Sequence, residues 1–310
     1  MVTQYHWHHS EKTVMANLVK VRVAPKGMGI NDFVAMEEGY FTDEGLDVEF
    51  DMQVFKGTQS SWKGLNYFER PQDRPFANGS DDNLIQSACQ WGTVSNAASG
   101  MGRAVRECYG VSPWGIFVRP DSAILKPEDL ADIPIAVGMR AGSHFNVPYR
   151  LEKYLPLENI NSLNIGGFSA RLEALISGEV EAASLLPPQI DMAKQLGMRS
   201  IIEDEFITIW WVPEHMPKAS VRGYIKALDR AEKIIVGELP KYLPAWRHCI
   251  PVAFRDHDWD FSSFSRGERF VKKNLPDGLI DEVFEQVDRW DLAQHIKDRK
   301  IDNLVYSVTE

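Results

Sequence analysis

The chain has 310 residues, 44% hydrophobic and 25% charged, the balance of a globular protein long enough to bury a sizeable core. Two units of roughly 100–200 residues are the ordinary expectation at this length. A formal net charge of -10 argues against nucleic acid or an anionic membrane surface as the main partner. Cys89, Cys108 and Cys249 form no C-x-x-C pair and read as buried thiols rather than a disulfide or zinc set. Residues 1–14 lack an apolar core and a small-residue cleavage site. They read as a disordered preamble and the chain as cytoplasmic, a periplasmic address requiring a leader already removed. No apolar stretch is long enough for a membrane span.

Val19-Lys20-Val21-Arg22-Val23 alternates as a half-buried strand, and Pro25, Gly27 and Gly29 break it into a loop. Asn31 is placed to cap a helix through Phe33, Val34 and Met36 that stops at Gly39. Leu46, Val48 and Phe50 alternate as a second strand. The order strand–loop–helix–strand opens a parallel α/β sheet. Residues 56–82, rich in Gly, Ser, Pro and charge, read as a long loop. A helix is expected over Asn83–Gln90, ended by Gly92. Gly115–Arg119 reads as a strand and Leu125–Leu130 as a short helical turn. A strand–helix rhythm follows: strand Ile135–Val137, helix Ser143–Tyr154, strand Asn161–Ile165, helix Ser169–Ser177, strand Ala182–Leu186 and helix Gln189–Leu196. Ser200–Ile202 and Phe206–Val212 read as two strands separated at Asp204. The rest is largely helical, with the amphipathic Ser220–Glu238 the clearest segment.

Four stretches, in order, carry a family resemblance: Glu38-Gly39-Tyr40-Phe41-Thr42-Asp43-Glu44-Gly45-Leu46-Asp47-Val48-Glu49-Phe50, Arg119–Leu130, Ile135–Ser143, and Arg171–Ala182. They resemble the SsuA/THI5 (NMT1-like) substrate-binding proteins of ABC transporters. The resemblance implies a two-lobed, periplasmic-binding type II fold of the venus-flytrap kind, each lobe a mostly parallel sheet flanked by helices. Residues 15–118 plus 206–310 would form lobe I and residues 119–205 lobe II, hinged near Val118–Asp121 and Asp204–Ile207. Nothing matches the cysteine-rich cluster of the family's thiamine-pyrimidine synthases.

In open α/β sheets, ligands sit at the carboxyl ends of strands, which directs attention to two strand-to-helix loops. Gly138-Met139-Arg140-Ala141-Gly142-Ser143-His144 offers helix N–H groups and a positive dipole end to an anion, with a hydroxyl at Ser143 and a fork donor at Arg140. As plain structure, Ser143 would be an N-cap, Arg140 a solvated charge and His144 a surface histidine. Lys26-Gly27-Met28-Gly29-Ile30-Asn31 is the equivalent loop of the first sheet, its glycines allowing close backbone approach. Ser80, in Gly79-Ser80-Asp81-Asp82, is a third candidate. Trp210 and Trp211 must point to opposite faces of an extended strand, so one belongs to the core and the other, taken as Trp210, to the cleft. The scattered histidines, without H-E-x-x-H spacing, suggest no metal, and no phosphate or dinucleotide fingerprint suggests a cofactor.

The expected function is binding of a small organic anion, an aromatic carboxylate or sulfonate, with an ABC-transporter permease as partner. The alternative is a cofactor-free cytoplasmic lyase, resembling a desulfinase or decarboxylase, on the same fold. In that case His144 would be the acid/base and Arg140 the carboxylate anchor, because the first strand–helix loop lacks the cysteine nucleophile of the desulfinases.

Overall fold

The computed structural model describes residues 18–51 and 84–309; the loop expected over 56–82, Ser80 included, lies outside them. Three short strands open the chain: β1 (Val19–Val23), β2 (Leu46–Phe50) and β3 (Leu84–Cys89). β1 lies between the other two and is parallel to both. Helix α1 (Asn31–Glu37) crosses from β1 towards β2. Asn31 is its first residue rather than its cap, and the Asn31 amide donates to Glu232 at 2.9 Å. Strand β3 overturns the helix expected at Asn83–Gln90. Its burial runs almost without a break, which erases the alternation that distinguishes a half-buried strand from a helix. Helix α2 (Gln90–Ala98) starts where that helix was to end, and Gly92 lies in its first turn.

A second parallel triplet is built from β6 (Ile135–Val137), β7 (Ser162–Asn164) and β8 (Ala182–Leu185), with β6 in the middle. Its helices are α3 (Gly142–Leu151), α4 (Phe168–Ser177) and α5 (Gln189–Gln195). The strand–helix alternation expected here is therefore present, with no end shifted by more than three residues.

Two long strands join the triplets. β5 (Tyr109–Val118) and β9 (Arg199–Val212) pair antiparallel along most of their length. β9 also pairs with β3 and with the short β4 (Arg103–Val105), and β5 with β8, so one hydrogen-bonded path runs β2-β1-β3-β9-β5-β8-β6-β7. The two strands expected on either side of Asp204 are thus one. Glu203, Asp204 and Glu205 are exposed yet stay in register with Gly115, Trp114 and Pro113. Charge marks where the ribbon meets solvent, not where it ends. The hinge expected at Asp204–Ile207 is likewise paired backbone, whereas in the one expected at Val118–Asp121 only Val118 is paired and the chain then turns.

The register fixes where the triplets face each other. Cys89, at the carboxyl end of β3, lies opposite Thr208. Leu185, at the carboxyl end of β8, lies opposite Gly115, which in turn faces Glu203. Both carboxyl edges therefore point inwards along the ribbon, separated by the stretch from Glu203 to Thr208. At about 3.3 Å per residue that is roughly 17 Å.

Helix α6 (Lys218–Gly237) buries Val221, Tyr224, Ile225, Leu228, Ala231 and Ile235 at helical spacing against α1 and the first triplet. The chain then returns through β10 (Arg269–Val271), antiparallel to the start of β5, and α7 (Leu279–Arg289), which packs on α2. Among the described residues no helix is long and apolar enough to cross a membrane.

Gly110 of β5 shows how tightly this return is fitted. A Cβ there would lie 2.2 Å from the Thr208 hydroxyl and 2.7 Å from the Glu268 carboxyl carbon. Overpacked cores lose about 1–3 kcal/mol. Gly110→Ala should cost that much in chemical denaturation, and an unchanged midpoint would show that Thr208 and Glu268 yield freely.

Candidate functional site

The inward-facing carboxyl edges enclose a cleft of about 140 Å³. Its walls come from the loop after β1, the end of β3 with the start of α2, the loop 138–143 after β6, the turn 164–167 after β7, and Leu186 after β8. Phe206, midway along the stretch of β9 between the triplets, and Trp211 complete it. Lys26, Met28, Arg140, Gly142 and Ser143 thus line one space, as the two-loop reading expected. Gly27, Asn31, His144 and Trp210 do not line it.

The loop after β6 is held by its own side chains. The Gly138 N–H donates to Ser143 Oγ at 2.9 Å, so Ser143 ties the loop rather than capping the helix, whose cap residue is Ala141. Arg140 adopts φ +55°, a left-handed conformation that costs a non-glycine residue energy. Its N–H donates to His144 Nδ1 at 3.1 Å. His144 is buried beneath the loop, and burial, reinforced by the Arg140 charge, lowers its pKa to about 4. A neutral ring that accepts from backbone and lies out of the cleft positions the loop. It is not the acid/base proposed for it. At the start of α3 the His144 and Phe145 N–H groups donate to the Ala141 carbonyl, at 2.9 Å and 3.1 Å, which leaves those of Gly142 and Ser143 without an acceptor inside the helix.

The Arg140 guanidinium reaches Gln294 at 2.9 Å. A second arginine, not singled out from the sequence, lies deeper. Arg171, in the first turn of α4, is 3% exposed and lines the cleft. Its Nε donates to the Ser184 carbonyl at 2.8 Å and its Nη1 to the Gly166 carbonyl at 2.9 Å. Burial lowers its pKa to about 9, which still leaves it cationic at neutral pH. Gly138 makes room for it, since a Cβ there would lie 3.1 Å from Nη1 and 2.8 Å from the Gly166 carbonyl. Its signal in the sequence was weak: an arginine just after Gly166-Gly167, at a third strand-to-helix loop.

Lys26 spends its charge elsewhere. Its ammonium donates to Glu268 at 2.8 Å and lies 4.8 Å from the Trp210 ring centroid. Burial lowers its pKa, with Glu268 opposing. Glu268 also accepts from the Thr208 hydroxyl at 2.8 Å, and its N–H donates to the Met28 carbonyl at 2.7 Å. Trp210 donates to Tyr224 at 3.1 Å, and Tyr224 to Asp32 at 2.6 Å. A small cavity of about 10 Å³ inside this network takes in Gly27, Asn31 and Trp210. The choice between the two tryptophans is therefore reversed: Trp211 lines the cleft and Trp210 belongs to the network behind it. Cys89, whose Sγ accepts from the Gly92 N–H at 3.3 Å, also lines the cleft. Among the described residues no cluster of three or more His, Cys, Asp or Glu side chains could hold a metal.

Comparison with solved structures gives the class of fold. The alkanesulfonate-binding protein SsuA from Xanthomonas axonopodis pv. citri, bound to MOPS, superimposes with a TM-score of 0.67 at 15% identity, over 94% of this chain and 99% of its own. A Candida albicans protein described as having the generic periplasmic-binding-protein fold gives 0.63 at 13%, covering 93% and 96%. The desulfurization enzyme DszB gives 0.57 at 14%, also covering 93% and 96%. The chain has the periplasmic-binding-protein fold. No protein-family model and no curated protein sequence matches it.

The network behind the cleft has a pH signature. Burial raises the Asp32 pKa from 3.8 to about 6, with the Tyr224 hydrogen bond opposing. Between those values the folded state holds a proton that the unfolded chain has released, so this group makes stability fall as pH rises from about 4 to 6. Asp32→Asn should remove that part of the slope. Denaturation midpoints of parent and variant across pH 4–7 test it; parallel curves would mean that Asp32 titrates normally.

Proposed function

We propose that the protein binds a small organic anion, of the aromatic sulfonate or carboxylate class, in the cleft between its two parallel triplets. One observation carries this reading: the almost fully buried Arg171 guanidinium lines the cleft close to the loop that opens α3. Charge-assisted hydrogen bonds and a helix dipole are the usual means of holding an oxyanion out of water. Met28, Met139, Leu186, Phe206 and Trp211 supply apolar surface for the rest of the ligand. In this reading Arg171 anchors the charge, Gly142 and Ser143 add backbone donors, and Arg140 is a secondary contact. Residues 15–118 with 206–310 act as one lobe and residues 119–205 as the other, closing by flexing of the β5–β9 ribbon. A binding protein of this kind would deliver its ligand to a permease, and transporter genes beside its own would support that step.

A second reading, catalysis in the same cleft, is favoured by Cys89. Its thiol lies at the start of α2 on the cleft wall, and the enzyme DszB shares the fold. Release of sulfite from an arylsulfinate, abolished by Cys89→Ser, would establish it. Binding of the sulfinate without turnover would leave the first reading standing.

Calorimetry with benzenesulfonate and benzoate tests the anchor. Losing a charge-assisted contact typically costs about 1.5–3 kcal/mol, so Arg171→Lys, which keeps the charge but loses the fork, should weaken binding roughly tenfold. Arg140→Ala should cost less, because Gln294 already engages that side chain. Should the cleft prefer neutral or cationic aromatics, or should Arg171→Lys bind anions unchanged, the anion reading is wrong.

A further inference from the structure

The segment after α7 touches both helices that open on the cleft. Arg289 and Trp290 donate to the two carboxylate oxygens of Glu152, at the far end of α3, at 2.8 Å and 3.2 Å. Gln294 accepts from Arg140 in the cleft loop itself. The chain then reaches the end of α2, where the Lys297 and Asp298 N–H groups donate to the Ala98 carbonyl. The Trp290 ring completes the aromatic layer between the two helices, 5.9 Å from Trp91 and 6.3 Å from Tyr149. The segment therefore spans from one wall of the cleft to the other.

Backbone strain lies along the same link. Only three non-glycine residues among those described have positive φ, and two of them are Arg140 and Asp291. Gln294 connects them, accepting from the Arg140 guanidinium and donating to the Asp291 carbonyl. Such conformations persist where surrounding contacts over-determine them. Yet the contacts from Arg289 to Glu152 and from Arg140 to Gln294 are exposed, and exposed polar and ionic links are individually weak. A weakly held link that maintains a strained cleft loop is suited to release.

We propose that Trp290–Gln294 is a clasp whose hold on Arg140 and Glu152 keeps the loop 138–143 in its cleft-lining conformation, and whose release lets ligand exchange. This regulation rests on the binding function proposed above.

Gln294→Ala and Glu152→Ala test the clasp without touching the cleft wall. In ligand-free protein, hydrogen exchange at the amides of residues 139–145 should accelerate roughly threefold or more in each variant, as expected for loss of an exposed link. The melting temperature should stay unchanged. In stopped-flow tryptophan fluorescence with benzenesulfonate and MOPS as probes, dissociation should speed up by a similar factor. Unchanged exchange in both variants overturns the clasp, whatever the probes do. Accelerated exchange with no probe bound by the parent would retain the clasp and remove the binding reading. Probes that bind and leave the variants at parental rates would retain the binding reading and remove the clasp.

Discussion

The pairing of β5 with β9 is the constraint from which the site follows. Parallel strands need crossovers, so each triplet places its helices on its faces and its loops at its carboxyl edge. What brings two such edges together is register. β3 takes hydrogen bonds from β9 only up to Thr208, and β8 pairs with β5 only up to Gly115. The triplets are attached to opposite ends of the ribbon and run in opposite directions, so their carboxyl edges face across its middle. Slip either register outwards and the loops of Lys26 and Arg140 would no longer line one space. The C-terminal return adds to this by pairing β10 with the start of β5 and bridging Gly267 to Gly29, which fixes the loop after β1 against the ribbon.

The cleft sorts its charges by what surrounds them. Lys26 and Arg171 both line it and are both largely buried, and Lys26 has the Glu268 carboxylate at 2.8 Å. A paired ammonium has its field largely cancelled and its donors committed, and it pays less for burial. Arg171 gives two of its N–H groups to backbone carbonyls, those of Ser184 and Gly166. The side of the cleft formed by α3 and α4 thus carries Arg171, close to the helix start. The opposite wall presents Met28 and the Lys26 stem, which are better suited to an apolar body.

Much of the architecture was legible because hydrophobic period and turn residues agree there. The run from Ile135 to Gln195 alternates strand and helix with glycines at the junctions, and its elements fell within a few residues of expectation. Legibility failed where the environment differs from that of a typical element. Strand β3 is buried or half-buried at every position and lost its alternation, while the middle of β9 is exposed and charged and so read as a break. At the site, local chemistry predicted which loops converge but not which side chains reach the space between them. Trp210 and Trp211 alternate as expected, but the sequence holds no sign of which pleat faces the cleft; that is decided by Tyr224, 14 residues on, and Glu268, 58 residues on from Trp210. Arg171 was quoted only as part of a helix, since a guanidinium cradled by carbonyls from β8 and the turn after β7 cannot be seen without the fold.

Glycine at position 142 links the geometry of the cleft to its closure. A Cβ there would lie 3.3 Å from both the Cys89 Cβ and the edge of the Phe206 ring. The first turn of α3 thus already rests against the end of β3 and the middle of β9, and another carbon would fit only if a neighbour gave way by a few tenths of an ångström. Behind that contact, Trp91 of α2 stacks on Phe145 of α3 at 5.9 Å and meets Tyr149 edge-on at 5.2 Å. These aromatic contacts are buried, and their loss on opening would expose apolar surface at about 25 cal/mol per Å². If the lobes part as proposed, this apolar packing between α2 and α3 resists opening more than charges at the rim do. Rim contacts can then tune the rate of opening without setting its direction. That division would suit a narrow, largely apolar cleft that has to hold the proposed ligand and still release it.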